Sequence, residues 1–291
     1  MPAYPRKQSL INYADACSAG MKKAGLVYTS DYSRVSQNIL KSRTPTNIQF
    51  SAVTGNCCGT TYNADYIMDA KTSDIPTNGI LDKIYIFRNY PLNLEGVTID
   101  GTTGPGAILI IGRGNSYFTD FNNIPGLEKI APATIQVKHT MKNVTLRNLG
   151  INLLDINALT LVNLDNTHTF DNITVINSQD DGIEIFGGNV NMSNITIENA
   201  IDDYFDTDNG HSGTITNLIL RQTDSSIGKS LIECGNNDGS TTTTFTNVTY
   251  MDNGTDFSAY TNNSSDLRFN IKTGSSVKIN GTTYTAPTDT L

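Results

Sequence analysis

The acidic residues of this chain fall into a repeated phrase. Asp180-Asp181 returns 22 residues later as Asp202-Asp203, Glu184 returns as Asp206, and Glu233 holds the same position one repeat further. Carboxylates spaced in this way can do two kinds of chemistry. A set rich in oxygen holds a hard divalent cation, Ca²⁺ most naturally, with Asp180, Asp181, Asp202, Asp203, Asp206 and Asp208 as ligands. Paired carboxyls can also divide acid and base work, one protonating a leaving oxygen while the other activates water. The plainer alternative is a hydrated acidic turn whose Asp side chains cap local backbone amides. It is preferred to the cation site because no EF-hand-like or nonapeptide loop frames the acids. No cofactor is required, and Ca²⁺ is the candidate ion.

The rest of the chain offers little competing chemistry. There is no Gly-x-Ser-x-Gly elbow, and Gly112-Arg113-Gly114-Asn115 is too slight for a phosphate loop. His139 and His168 read as turn or surface residues. Cys17, Cys57, Cys58 and Cys234 lie outside Cys-x-x-Cys spacing, and adjacent Cys57 and Cys58 are poor partners for each other. Reduced thiols are expected, and no zinc site.

The elements that must position these acids are short strands in register. Asn143-Val-Thr-Leu146, Asn172-Ile-Thr-Val175, Asn194-Ile-Thr-Ile197, Asn217-Leu-Ile-Leu220 and Asn247-Val-Thr-Tyr250 repeat one phrase at steps of 29, 22, 23 and 30 residues. A second series runs between them: Leu159-Thr160-Leu161, Ile183-Glu184-Ile185, Phe205-Asp206-Thr207 and Ile232-Glu233-Cys234. Two strands per period predict an all-β spiral, a parallel β-helix, climbing about 4.8 Å per turn. An antiparallel sandwich would give turn signals but no register of near-identical phrases. Alternation sends Ile183 and Ile185 inward and Glu184 outward, so Glu184, Asp206 and Glu233 form an outward column. Neighbouring charges there repel by about 1 kcal/mol in water and roughly 3 to 4 at an effective dielectric of 20. The repeated Asn should form a partly buried ladder of side-chain amides. Its Asn-x-Thr matches are therefore not read as glycosylation sites.

Composition fits this frame. Charged residues are only 16% of 291, with Asn, Thr, Ser and Gly abundant, so helix is a minor ingredient. One amphipathic helix is expected over residues 10–24, capped by Ser9 and stopped by Gly25. Residues 1–60 form an irregular attachment region and 61–291 the β-helix, with 60–95 and Ser265–Thr285 covering its ends. Residues 1–45 carry 7 − 2 = +5, which leaves −8 − 5 = −13 for the remainder. An acidic body argues against nucleic acid along the solenoid. No stretch reaches the apolar length that spans a bilayer, and no signal peptide is visible after Met1.

The repeats resemble those of right-handed parallel β-helix proteins, the pectate-lyase-like superfold, over roughly residues 80–285. The segment from Ser178 to Gly188 (SQDDGIEIFGG) is similar to one in large secreted bacterial β-helix proteins. Gln179-Asp180-Asp181 also resembles the aspartate pair of polygalacturonases, which implies glycan cleavage with Asp180, Asp181, Asp203 and His211 as site residues. The likeness is partial. Asn163-Leu164-Asp165 lies less than one coil before Asp180, His211 lacks the second glycine of that family's motif, and Arg268 and Lys272 are spaced wrongly. A lyase would want a base, and Lys229 and Arg221 are the nearest, without a framing motif. The favoured expectation is a structural protein, a virion component attached to a protein assembly through residues 1–60, in a virion or at a cytoplasmic assembly site. Tailspike-like β-helices imply a homotrimer. A glycan-cleaving enzyme and a surface adhesin are the alternatives.

Overall fold

Asparagine sets the path of the chain. Asn143, Asn172, Asn194, Asn217 and Asn247 all sit at φ between +52° and +57°, a left-handed conformation that Asn tolerates better than other side chains. Each interrupts a strand without pairing: the residue before it (Lys142, Asp171, Ser193, Thr216 or Thr246) is polar and half-buried, and the residue after it (Val144, Ile173, Ile195, Leu218 or Val248) is apolar and turns to the core. The chain bends there once per turn and continues in register.

The computed structural model describes residues 46–51, 61–102, 106–114, 132–151, 156–223, 230–235, 241–252, 255–257, 269–271 and 274–285. One sheet, A, runs in the order β1 (Thr46–Ser51), β2 (Thr61–Met68), β3 (Ile84–Phe87), β6 (Ala107–Ile111), β8 (Leu159–Val162), β10 (Ile183–Phe186), β12 (Phe205–Asp208), β14 (Ile232–Cys234) and β17 (Phe269–Ile271). The other, B, begins with β4 (Asn93–Glu95) and β5 (Thr98–Asp100), both against β7 (Thr140–Arg147). It continues through β9 (Thr169–Ile176), β11 (Met192–Glu198), β13 (Thr214–Gln222), β15 (Thr244–Asp252), β18 (Ser276–Ile279) and β19 (Thr282–Thr285), with β16 (Thr255–Phe257) beside β15. From β2 to β17 and from β4 to β18 the stacked pairs are parallel, as a spiral requires. This is the expected parallel β-helix.

Between the sheets lies one apolar core built of vertical columns. Tyr85, Ile108, Leu159, Ile183, Phe205 and Ile232 stack from sheet A, and Met141, Phe170, Met192, Ile215 and Phe245 from sheet B. Phe205 meets Phe245 edge-on, with ring centroids 5.4 Å apart. Like over like lets each turn reuse the packing of the one below.

The ends differ from expectation. Strands β3 and β4, within the stretch expected to cover the first turns, are themselves turns of the spiral. At the far end β17 likewise stacks on β14, while the β18–β19 hairpin closes sheet B with an antiparallel strand. Strand β1 falls inside the stretch assigned to attachment and pairs antiparallel with β2. The helix expected over 10–24 lies outside the described residues, as do Cys17, Cys57 and Cys58. Cys234 is a buried free thiol, pushed up to about 12 chiefly by burial. Among the described residues no helix is long and apolar enough to cross a membrane.

Candidate functional site

The strands β10, β12 and β14 bring the repeated acids together. Register places Glu184 beside Asp206 and Asp206 beside Glu233, which is the expected column. Two residues before each strand, Asp181 and Asp203 stack in the same way. Carboxyl oxygens of Asp181, Glu184 and Asp206 lie within 4.8 Å of one another, as do those of Asp203, Asp206 and Glu233, and those of Asp180, Asp181 and Asp202.

The column is not the hydrated feature expected. Glu184 is 3% exposed, Asp181 8%, and Asp203 and Asp206 6% each. Alternation fixes which face of a strand a side chain takes, but whether that face meets water depends on what lies over it. The capping half of the plain reading holds. Asp181 Oδ1 accepts the backbone N–H of Asp203 at 2.8 Å, and Asp203 Oδ1 accepts that of Ser230 at 2.8 Å. Each aspartate thus pins the next turn at its own stacking position. Glu184 accepts from the Asn157 side-chain amide, and Glu233 from that of Asn270.

Burial also changes the protonation of these groups. Desolvation, then the nearby Glu233, pushes Asp203 up to about 8. Asp181 and Asp206 are both held well above the usual carboxylate range, again by desolvation first and by neighbouring acids second. A divalent cation could draw on any of the three acid triads. Asp208 belongs to none of them, and Asp181 and Asp203 each commit an oxygen to a backbone N–H.

His211 does not join the acids. Its ring is fully buried in a corner of the coil, Nδ1 at 2.8 Å from Thr243 Oγ1 and Nε2 at 3.2 Å from the Val190 carbonyl. The Gly213 backbone N–H also points at Nε2, at 3.3 Å, so both ring nitrogens are taken up by neighbouring turns of the coil. Burial lowers this imidazole to about 4. His139 and His168 are likewise buried rather than at the surface. His139 Nδ1 accepts the Leu92 N–H and His168 Nδ1 the His139 N–H, both at 3.1 Å, with the rings stacked at 5.1 Å. The signal for them was present: each precedes a strand as His-Thr, 29 residues apart, the step of Asn143 and Asn172. Of the lyase bases, Arg221 pairs with Glu198 on sheet B at 3.2 Å, and Lys229 lies outside the described residues, as do Arg268 and Lys272.

The Asn ladder is present but exposed. Asn172 donates to Asn143 at 2.7 Å, Asn217 to Asn194 at 2.8 Å and Asn247 to Asn217 at 2.9 Å. It is broken once, where Asn194 turns to Asp171. A second ladder, not anticipated, joins Asn148, Asn177 and Asn199, all left-handed and each five residues after a member of the first.

Comparison with known proteins agrees with this architecture. Residues 152–286 match the family model described as a pectate-lyase like beta helix domain. No curated protein and no solved structure matches the chain. The matched segment contains both acid repeats, His211 and the Asn phrases from Asn172 onward, and this part of the chain is similar to a pectate-lyase-like β-helix domain, in agreement with its parallel stacked strands.

Proposed function

We propose that this β-helix is a structural, non-catalytic rod, a component of a larger assembly such as a virion, attached through residues 1–60. The observation that carries the reading is the use made of the acids: those that could act on a substrate are buried and bonded into the stack. A catalytic carboxyl must reach substrate, and His211 is held by Val190 and Thr243 away from the acids. The protein is expected to release no reducing sugar from pectin, alginate or hyaluronan. Release that disappears in Asp181→Ala would overturn the reading. Removing residues 1–60 should leave a folded solenoid that no longer co-purifies with its assembly, and retention at normal stoichiometry would contradict the attachment. A homotrimer is the oligomer proposed by analogy with tailspike-like rods, checked by light scattering.

One observation favours a second reading, glycan cleavage. Asp203, raised to about 8 beside other carboxyls, holds a proton at neutral pH as a general acid must. The same sugar assays decide it, with Asp203→Asn as the informative variant. Ca²⁺ at the acid triads is a further proposal. Calorimetry without heat at millimolar Ca²⁺ would dispose of it.

A further inference from the structure

Leu92, His139 and His168 hold the same corner on three successive turns, just before β4, β7 and β9. Each turn is tied to the next there by two bonds. The Thr140 N–H donates to the Leu92 carbonyl at 2.8 Å, and the Leu92 N–H to His139 Nδ1 at 3.1 Å. One turn on, the Thr169 N–H donates to the His139 carbonyl at 3.0 Å, and the His139 N–H to His168 Nδ1 at 3.1 Å. A ring nitrogen thus accepts where a strand would offer a carbonyl. The rings stack at 5.1 Å, and both are buried.

This bonding fixes the charge state of the pair. A ring nitrogen that accepts an N–H carries no proton, so each ring holds its one proton on Nε2. An imidazolium bears a proton on both nitrogens. Charging either ring would turn its Nδ1 into a donor facing the backbone N–H of the preceding turn, and would leave that N–H buried without its acceptor. The surroundings offer little relief. Asp165 Oδ1 lies 3.7 Å from His168 Nε2, beyond hydrogen-bond reach, and already accepts from the Thr167 N–H and hydroxyl. Exposed Lys138 adds a repelling charge. Among the described residues Asp165, Lys138 and the rings themselves are the groups that bear on this titration. Burial lowers both imidazoles, His139 to about 3.

We propose that the two histidines form an acid-released clasp: neutral, they tie together the turns that begin at β4, β7 and β9, and protonated, they let this corner open while later turns stay closed. The equivalent positions on the next two turns, two residues before Met192 and Ile215, are Val190 and Gly213, which do not titrate. The remaining histidine, His211, is placed differently. Besides the Gly213 N–H, a hydroxyl and a carbonyl face its ring, and both can accept from an imidazolium. The clasp contributes fully above about pH 6.5, the unfolded value, and its contribution is lost as pH falls towards 3. It does not rest on the structural reading, since an enzyme could carry it equally.

Native-state hydrogen exchange on the full chain, read by NMR, tests it. Protection of the Leu92 and His139 amides should fall by about tenfold or more from pH 7 to pH 5. The Asn199 amide, bonded to the Arg221 carbonyl at 3.1 Å on later turns, should change by less than about twofold. His139→Asn combined with His168→Asn puts an amide oxygen in place of each Nδ1, an acceptor that does not titrate, and should abolish the difference. No fall in the parent, an equal fall at Asn199, or the same fall in the double variant would each overturn the proposal. Should the variant fail to fold, the imidazole nitrogen shifts of the unaltered chain still decide. Both rings should carry their proton on Nε2 and remain neutral at pH 6. An Nδ1–H tautomer or a charged ring at that pH would overturn the clasp.

Discussion

At the scale of the residue, protonation is where the account is most exposed to test. Asp203 has a folded value of about 8 against an unfolded value of about 3.9, so the folded state binds the extra proton. Its contribution to stability is therefore complete below about pH 3.9 and is lost as pH rises through 8. The buried histidines act in the opposite sense. His139, lowered to about 3, favours the folded state above its unfolded value of about 6.5 and loses that contribution as pH falls towards 3. Asp203→Asn keeps an acceptor for the Ser230 N–H and removes the titration. Urea denaturation at pH 6 and pH 9 should then show a smaller loss of stability with pH in the variant than in the parent. An unchanged slope would contradict the protonated Asp203. The column of acids could be read from the repeat of Asp180-Asp181 and Asp202-Asp203. Its burial could not, because nothing in a strand's alternation says what lies above its outward side.

At the scale of the element, asparagine and glycine hold the bends and the close approaches. The Asn phrase was legible because stacking forces equal spacing onto equivalent positions. Its cause was only half legible. Amide ladders were foreseen, whereas the left-handed backbone at Asn194 (φ +56°) appears only in the folded chain. Asn194→Ala loses the amide bonds to Asp171 and from Asn217 as well as the tolerated conformation, and should destabilise by about 1–2 kcal/mol or more. Asn194→Gly, which keeps the bend, should lose less, and guanidinium denaturation of the pair separates the two effects. Gly182, between the acids and β10, is constrained differently. A Cβ there would lie 2.6 Å from the Tyr204 carbonyl oxygen and 2.5 Å from Ile197 Cγ2. Gly182→Ala should therefore cost about 1–3 kcal/mol, measured the same way. A neutral result would mean that the turns sit farther apart there.

At the scale of the molecule, the distinguishing property is a β-helix with one wet face and one dry one. The spiral itself follows from the repeats, and the matched family domain over residues 152–286 agrees with it. The dry face of sheet A does not follow from them, because its outward residues pass from Met68, Ile86 and Leu109 to Glu184 and Asp206 without a period. That face places the acids out of water, and the absence of water is what raises them and ties them into the stack. The most direct test is a pH titration of side-chain carboxyl carbons by NMR in protein labelled at aspartate. The account predicts a resonance with its midpoint near pH 8 that is missing from Asp203→Asn. If every aspartate in the chain titrated below about pH 5, in the range of ordinary solvated carboxyls, the buried column would be contradicted.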